Sequence, residues 1–158
     1  MKYIAVDFDG TVVTHEYPGM GRSIGAEAIL VALAEAGYRL ILHTMRCGKE
    51  LAEAEEWFAS KGIELWKVNS NPDQDCWTTS PKVWANVYID DCALGCPLKQ
   101  DHPDERPFVD WVQVHRLLID AGIMHFEESK ENGNEATSPP GLSDDQGELR
   151  TGRPHGWR

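Results

Sequence analysis

Two spacings of hydrophobic residues alternate along the first 121 positions of the chain. Short apolar runs predict buried strands, because the strands of a parallel sheet are covered on both faces. These runs span residues 3–6, 39–44, 63–68 and 85–89. Apolar residues at helical spacing, each series stopped by a glycine, predict three helices. The helices span residues 23–36, 49–60 and 109–121.

This alternation of strands and helices predicts an α/β fold, a three-layer Rossmann-like parallel sheet flanked by helices and joined by right-handed crossovers. Residues 1–125 are assigned to this domain. The segment 92–107 contains three prolines and many charges, so it leaves open whether a fifth strand forms. From Glu127 onward, polar, proline and acidic residues replace apolar ones, and residues 126–158 are expected to form an acidic, disordered C-terminal tail.

Polar residues that can bind ligands or take part in catalysis lie beside the predicted strands, at the edge where such sheets hold their ligands. An Asp-x-Asp-Gly-Thr turn follows the first strand, a threonine ends the second, and a pair of aspartates follows the fourth. A lysine precedes the fourth strand on a short helical turn that Ser80-Pro81 would cap. The set consists of Asp7, Asp9, Thr44, Lys82, Asp90 and Asp91.

The two carboxylates of the first turn require a positive partner. Asp7 and Asp9 come directly after a buried strand, and a buried carboxylate without a partner costs more free energy than folding supplies. Mg²⁺ takes oxygen ligands and is usually held by one or two carboxylates together with substrate phosphate. The sequence therefore predicts a Mg²⁺ site at this turn.

In their order and spacing these residues resemble a known family. The turn from Asp7 to Thr11, Thr44, Lys82 and the pair Asp90-Asp91 are similar to the four motifs of the haloacid dehalogenase (HAD) superfamily of phosphohydrolases. The resemblance covers residues 1 to about 121. It implies a HAD-type fold and a phosphatase, a hydrolase of phosphoric monoesters that forms an aspartyl-phosphate intermediate.

The resemblance also assigns roles to residues. Asp7 would be the nucleophile, and Asp9 the general acid for the leaving alkoxide and then the general base for water. Thr44 and Lys82 would hold the phosphoryl oxygens. The implied Mg²⁺ ligands are Asp7, the backbone carbonyl of Asp9 and Asp90, while Asp91 would assist through a water molecule or fix Lys82.

Two features narrow the reaction. Ion pumps of this family carry threonine at the position of Asp9, and its dehalogenases do not use this acid and base pair, so Asp9 indicates a phosphatase or a phosphomutase. Mutases of the family generally have a cap domain, and the short segment 15–22 and the filled segment 44–82 leave no room for one. A capless member is closed by partner subunits or by a macromolecular substrate, so a homo-oligomer is compatible with this chain.

Further residues are candidates for substrate recognition. Thr11 is expected to orient the acidic loop and is a candidate contact for the substrate, and Arg46 is a candidate partner for a second anionic group. Four other candidates flank the predicted site: His15, Tyr17, Trp77 and Trp84. The identity of the phosphorylated substrate is not contained in the sequence.

Composition limits the partners and the location. The formal charge of −11 argues against nucleic acid as a general partner and against a membrane surface, since both attract basic proteins. There is no apolar run of membrane-spanning length and no secretory signal, so a cytoplasmic location is expected. The four cysteines lack zinc-site spacing and are expected to be reduced thiols.

Two alternative functions are compatible with the same residues. A receiver-like phosphoacceptor signalling module also carries acidic residues, threonine and lysine on a parallel sheet, but its acidic pair follows the first strand and its acceptor aspartate a middle strand. The second alternative is a HAD-fold protein that binds without catalysis, which the intact motifs disfavour.

Overall fold

The structure is a computed structural model that describes residues 2–125. It confirms the predicted fold class, an α/β fold built on a parallel sheet. The strands are β1 (Tyr3–Val6), β2 (Arg39–Leu42), β3 (Leu65–Val68), β4 (Val87–Ile89), β5 (Leu98–Lys99) and β6 (Phe108–Val109). The helices are α1 (Glu27–Glu35), α2 (Gly48–Ser60) and α3 (Trp111–Asp120). The predicted tail, residues 126–158, lies outside the described residues and stays a prediction.

Strands β1 to β4 form one parallel sheet in the order β3-β2-β1-β4. In the register, Val6 pairs with Leu42 on one side and with Ile89 on the other. The next residue of each strand therefore emerges at the same edge of the sheet. The hydrogen-bond ladder between β1 and β4 continues past the end of β1. The Asp7 amide donates to the Ile89 carbonyl at 2.9 Å.

Alternating residues of the strands build two cores. Ile4 and Val6 belong to a large hydrophobic cluster to which all three helices contribute. Leu33 of α1, Phe58 of α2 and Leu118 of α3 are buried in that cluster. The strand residues between them point to the opposite face, as the period of a strand requires.

The opposite face of the sheet is covered by the β3–β4 connection, residues 69–86. Tyr3, Ala5 and Ile41 cluster there with Val83 and Ala85 of the connection. This layer is mostly irregular chain, and its backbone is held by buried side chains. Among them, the Gln74 amide donates to the carbonyls of Ser80 and Lys82, at 2.9 and 3.1 Å.

The prediction of a helical turn capped by Ser80-Pro81 is wrong. The one turn of 3₁₀ helix in this connection lies at Pro72–Gln74, where the Asn71 side chain accepts a hydrogen bond from the Asp73 amide. Asn71 caps the turn and proline occupies its first position, an arrangement that fixes the start of a helix. The chain around Lys82 is instead held by the Gln74 side chain.

Helices α1 and α3 begin later than predicted, each for a local reason. Helix α1 begins at Glu27 rather than near residue 23, because Ser23 pairs with Val13 in a β-bridge and Gly25 adopts a φ of +93°. Helix α3 begins at Trp111, because the Asp110 side chain accepts hydrogen bonds from the amides of Val112 and Gln113. Aspartate is a favoured N-cap residue.

The segment after β4 forms no fifth strand of the main sheet. It contains β5 and β6, which pair with each other as a short antiparallel hairpin. Across residues 2–125, the connections after β1 and β3 carry no domain-sized insertion. No helix in this part of the chain has the length and apolar character needed to cross a membrane.

Candidate active site

A cavity of about 560 Å³ opens at the edge where the strands of the main sheet end. Most of the residues predicted for the site line it: Asp7, Asp9, Thr44, Arg46, Asp90 and Asp91. They follow three different strands, and the parallel register brings them together. The cavity is the size of a small-molecule site, larger than a phosphate group alone would need.

The turn after β1 is shaped for close approach between two chain segments. The Phe8 carbonyl accepts the amides of Thr11 and Val12, and Gly10 adopts a φ of +78°. A Cβ atom at Gly10 would lie 2.6 Å from Oδ2 of Asp91, well inside van der Waals contact. Glycine is required there both by its backbone conformation and by the carboxylate that follows β4.

Thr11 joins the two acidic segments from behind the cavity wall. Its hydroxyl donates to Oδ2 of Asp7 at 3.2 Å and accepts the Asp91 amide at 3.0 Å. The residue is fully buried and does not line the cavity. Its contacts are those of a residue that orients the acidic loop, whereas a direct contact between Thr11 and a substrate does not fit this position.

The electrostatics around Asp7 favour a bound cation. Burial raises the pKa of Asp7 to about 7, and the negative charges of Asp90 and Asp91 contribute to the increase. A carboxylate that is buried beside other negative charges ionises more readily when a cation binds it. The oxygen donors of Asp7, Asp90 and Asp91 are the ligand type that Mg²⁺ prefers, so the residues present fit the predicted ion.

Cys92 lies next to this acidic group. Its sulfur lies within 4.8 Å of carboxylate oxygens of Asp90 and Asp91, close enough for the three residues to share a metal ion. A hydrogen bond with Asp91 raises the pKa of the Cys92 thiol and so favours its neutral form, which is a poor metal ligand. Carboxylate oxygens outnumber the one sulfur in this group, and oxygen donors are the ligand type that Mg²⁺ prefers.

Asp9 is held by a buried arginine. Nε and Nη2 of Arg46 donate to the two carboxylate oxygens of Asp9, at 2.7 Å each. Nη2 of Arg46 also donates to the Gly19 carbonyl at 2.6 Å, and the guanidinium lies over the rings of Phe8 and Tyr17. The Arg46 side chain is only 1% exposed. Arg46 is thus a partner of Asp9 in this structure, and the predicted contact between Arg46 and a second anionic group of the substrate stays a prediction.

Thr44 is positioned by a residue that the sequence did not single out. The Asn69 side chain accepts the Thr44 amide at 2.9 Å and donates to the Thr44 carbonyl at 2.8 Å. The Thr44 hydroxyl accepts the Arg46 amide at 3.2 Å, which leaves its own proton available to a ligand in the cavity. Asn69 has a φ of +46°, a backbone conformation that asparagine tolerates better than most residues. The choice of asparagine at this position was the signal that the sequence offered for its structural role.

Lys82 is not brought to the cavity. The structure places it exposed on the connection that covers the opposite face of the sheet, outside the cavity lining. The Gln74 side chain donates to the Lys82 carbonyl and holds the chain at this position, so the predicted contact between Lys82 and a phosphoryl group gains no support here and stays a prediction. Trp77 and Trp84 also lie outside the lining and pack edge to face with each other.

The cavity mouth contains a cation that sequence reasoning missed. Arg106, in the loop between β5 and β6, places Nη1 2.8 Å from Nε2 of His15 and donates from Nη2 to Oδ2 of Asp91 at 3.3 Å. His15 and Tyr17, both predicted candidates, line the cavity beside it. The proline-rich segment around Arg106 has no periodicity, so the sequence carried no signal for its position.

Comparison with known proteins gives a family but no activity. No protein-family model matches the chain, and no curated protein matches it. A solved structure, that of a conserved protein coded by a locus from Bacteroides thetaiotaomicron, is similar with 33% sequence identity and a TM-score of 0.61. The similarity covers 76% of this chain and 91% of that one. The chain therefore belongs to the same family as this conserved bacterial protein.

Proposed function

We propose that this protein is a Mg²⁺-dependent phosphomonoester hydrolase of the HAD superfamily that acts through an aspartyl phosphate on Asp7. The observation that carries the proposal is the cavity in which Asp7, Asp9 and Thr44 meet Asp90 and Asp91. Burial raises the pKa of Asp7 to about 7, and the negative charges of Asp90 and Asp91 contribute to the increase, so ionised Asp7 calls for a positive partner. Such a site suits a divalent cation together with a phosphoryl group.

In the first step, a carboxylate oxygen of Asp7 attacks phosphorus in line with the leaving oxygen. The new bond joins Asp7 to phosphorus, and the bond from phosphorus to the leaving oxygen breaks with its electron pair. The Thr44 hydroxyl donates a hydrogen bond to a phosphoryl oxygen. The leaving oxygen takes a proton from Asp9, which requires one Asp9 oxygen to exchange its Arg46 contact for that proton.

In the second step, a water molecule attacks the phosphorus of the aspartyl phosphate. Asp9 accepts the proton of that water, the bond from phosphorus to Asp7 breaks, and phosphate leaves. The bidentate contact with Arg46 suits this step, because it fixes the orientation of the accepting carboxylate. Asp7, Asp90 and the Asp9 carbonyl would hold Mg²⁺, which supplies charge that offsets repulsion between the carboxylates and the phosphoryl oxygens.

Turnover of a broad panel of phosphomonoesters with Mg²⁺ tests the proposal. Asp7→Asn keeps the shape of the side chain but removes the nucleophile, so we expect turnover to fall by at least about 10³-fold. The matched control is Asp120→Asn, because Asp120 is exposed at the end of α3. Asp9→Asn is expected to lose turnover and to accumulate a phosphoenzyme detectable by mass spectrometry.

The same experiment separates the alternatives. A phosphoacceptor module would be labelled by acetyl phosphate and would retain the phosphoryl group without turnover. A noncatalytic binding protein would bind Mg²⁺ or phosphate and neither label nor turn over. Absence of turnover on every substrate, in a folded protein that binds Mg²⁺, would rule out the hydrolase.

A reducing compartment is part of the proposal. Cys47, Cys76, Cys92 and Cys96 are free thiols in the structure. Free and largely exposed thiols are typical of cytoplasmic proteins, because oxidising compartments convert them to disulfides. This supports the predicted cytoplasmic location.

A further inference from the structure

The mouth of the cavity carries a cation that the hydrolytic steps do not use. The Arg106 side chain is 53% exposed and lines the cavity together with His15. Its contacts with His15, Asp91 and the Cys92 sulfur involve Nη1 and Nη2 of a guanidinium that carries five N–H groups, and they leave Nε and one Nη1 hydrogen unused. Arg106 therefore retains capacity to bind a ligand that enters the cavity.

The other arginine of the cavity has no such capacity. Both Asp9 oxygens and the Gly19 carbonyl occupy Arg46, and its side chain is buried. Lys82 lies outside the lining. Among residues 2–125, Arg106 is thus the accessible arginine or lysine that lines this cavity.

The loop that carries Arg106 is tied to the loop that carries His15. Nη2 of Arg22 donates to Asp101 at 2.9 Å and to Glu105 at 3.1 Å. Arg22 precedes α1 in the same connection as His15, while Asp101 and Glu105 precede Arg106 in the β5–β6 loop. Two ion pairs between the loops support the position of Arg106 beside His15, even though each exposed pair contributes little stability alone.

The net charge of the chain explains why an anionic ligand would need a local cation such as Arg106. The protein has a formal charge of −11, and its field gives no general attraction for an anion. An anionic group on a substrate therefore requires a local cation, and a guanidinium binds carboxylate or phosphate oxygens with directed N–H groups. The cavity of about 560 Å³ has room for a leaving group beyond the reacting phosphoryl group.

We propose that Arg106, assisted by His15, binds a second anionic group on the leaving group of the substrate. The substrates are then phosphomonoesters that also carry a carboxylate or a second phosphate. This inference rests on the proposed function of the same cavity. Arg106 acts here as a specificity residue for the leaving group and takes no part in the transfer of the phosphoryl group.

Matched substrate pairs test the inference. We would measure kcat/KM with Mg²⁺ for 2-phosphoglycolate against ethyl phosphate, and for 1,3-propanediol bisphosphate against the corresponding monophosphate. The first pair tests a carboxylate and the second a phosphate as the additional anion. We expect the wild-type protein to prefer the doubly anionic member of at least one pair by about tenfold or more, mainly through KM.

The variant Arg106→Gln is expected to bring that preference close to one, and His15→Gln to reduce it less. The ratio within a pair is independent of the fraction of folded protein, so a partly unfolded variant still gives a valid result. Arg116→Gln is the matched control, since Arg116 is exposed on α3 and lies outside the cavity lining. A preference that survives Arg106→Gln, or a wild-type preference for the singly anionic members, would overturn the inference.

Binding of non-hydrolysable analogues distinguishes failure of this inference from failure of the proposed function. Calorimetry would compare 3-phosphonopropionate with ethylphosphonate in the presence of Mg²⁺, for the wild type and Arg106→Gln. Tighter binding of the carboxylate analogue that depends on Arg106, without turnover of any ester, would support the anion site and overturn the hydrolase. Turnover without dependence on Arg106 in either assay would support the hydrolase and overturn the anion site.

Discussion

Asp7 combines burial with negatively charged neighbours, and its pKa of about 7 lies far above the ordinary value of 3.8. A buried group whose pKa is raised in this way keeps its proton in the folded protein at a pH where the unfolded chain has lost it. The folded state without a metal ion then binds more protons between about pH 4 and pH 7, so its stability falls as the pH rises through that window.

This gives a prediction on pH and metal removal. The gap between the two pKa values corresponds to at most about 4 kcal/mol of lost stability above pH 7. Because Mg²⁺ binds the ionised carboxylates, we expect it to raise the melting temperature much more at pH 8 than at pH 5, and EDTA to reverse the effect. Calorimetric melting at the two pH values measures this, with Asp7→Asn as the comparison.

The Asp7→Asn protein should show a smaller fall in stability between pH 5 and pH 8 than the wild type without metal. An equal Mg²⁺ effect at both pH values would contradict this account of the site.

Arg46 is the residue on which the orientation of Asp9 depends. Replacement by methionine removes both hydrogen bonds to Asp9 and leaves a carboxylate in a partly buried position. We expect Arg46→Met to lower the free energy of unfolding by about 3 kcal/mol. We also expect kcat to fall by about tenfold to a hundredfold with little change in KM, because Arg46 positions Asp9 and does not contact the substrate.

Chemical denaturation and steady-state kinetics measure the two effects. Arg46→Lys keeps the charge but loses the bidentate geometry, so it should recover part of the stability and less of kcat. A rise in KM with unchanged kcat would show that Arg46 binds substrate after all.

At the scale of elements, the site depends on where strands end and helices begin. Helix α3 is joined to the acidic turn, because the Trp111 indole donates to the Thr11 carbonyl at 2.6 Å. The start of this helix is set by the Asp110 cap. The pKa of the Asp110 carboxyl is lowered by a hydrogen bond from the Gln113 side chain and by those from the backbone amides of Gln113 and Val112. Its contribution to stability is therefore present above about pH 4 and is lost as the pH falls below that value.

Removal of this cap should lower stability without affecting chemistry. We expect Asp110→Ala to reduce the free energy of unfolding by about 1 kcal/mol at pH 7, and Asp110→Asn to retain most of it. The value of kcat should stay at the wild-type level, because Asp110 lies outside the cavity lining. Urea denaturation at pH 7 and pH 3 checks both the size and the pH dependence, and an undiminished difference at pH 3 would exclude the charged cap as its cause.

At the scale of the whole molecule, the excess of negative charge opposes the approach of phosphorylated ligands. Salt at about 0.1 M screens charges beyond about 10 Å, so it weakens the repulsion from distant carboxylates more than the contacts inside the cavity. We expect kcat/KM for anionic esters to rise as KCl increases from about 10 to 100 mM at constant Mg²⁺. A steady decrease over this range would mean that the local cations dominate the encounter.

The sequence predicted those parts of the molecule that depend on short-range pattern. Asp7, Thr44 and Asp90 were predicted at one edge because each stands at or just beyond the end of an apolar strand, and parallel strands end together. The sequence did not predict that Arg46 pairs with Asp9, that Arg106 lines the cavity or that Lys82 lies outside the lining. Their positions depend on the packing of irregular loops against distant segments, which periodicity does not encode.

Gly10 and Asp91 illustrate such a dependence between distant positions. The Asp91 carboxylate occupies the space that a side chain at position 10 would need. A Cβ atom at Gly10 would lie only 2.6 Å from Oδ2 of Asp91. Residues 10 and 91 therefore behave as one interlocking unit, although they belong to the loops after different strands. An engineer who wished to place alanine at position 10 would have to shorten residue 91 as well, and would thereby remove an acidic group from the cavity.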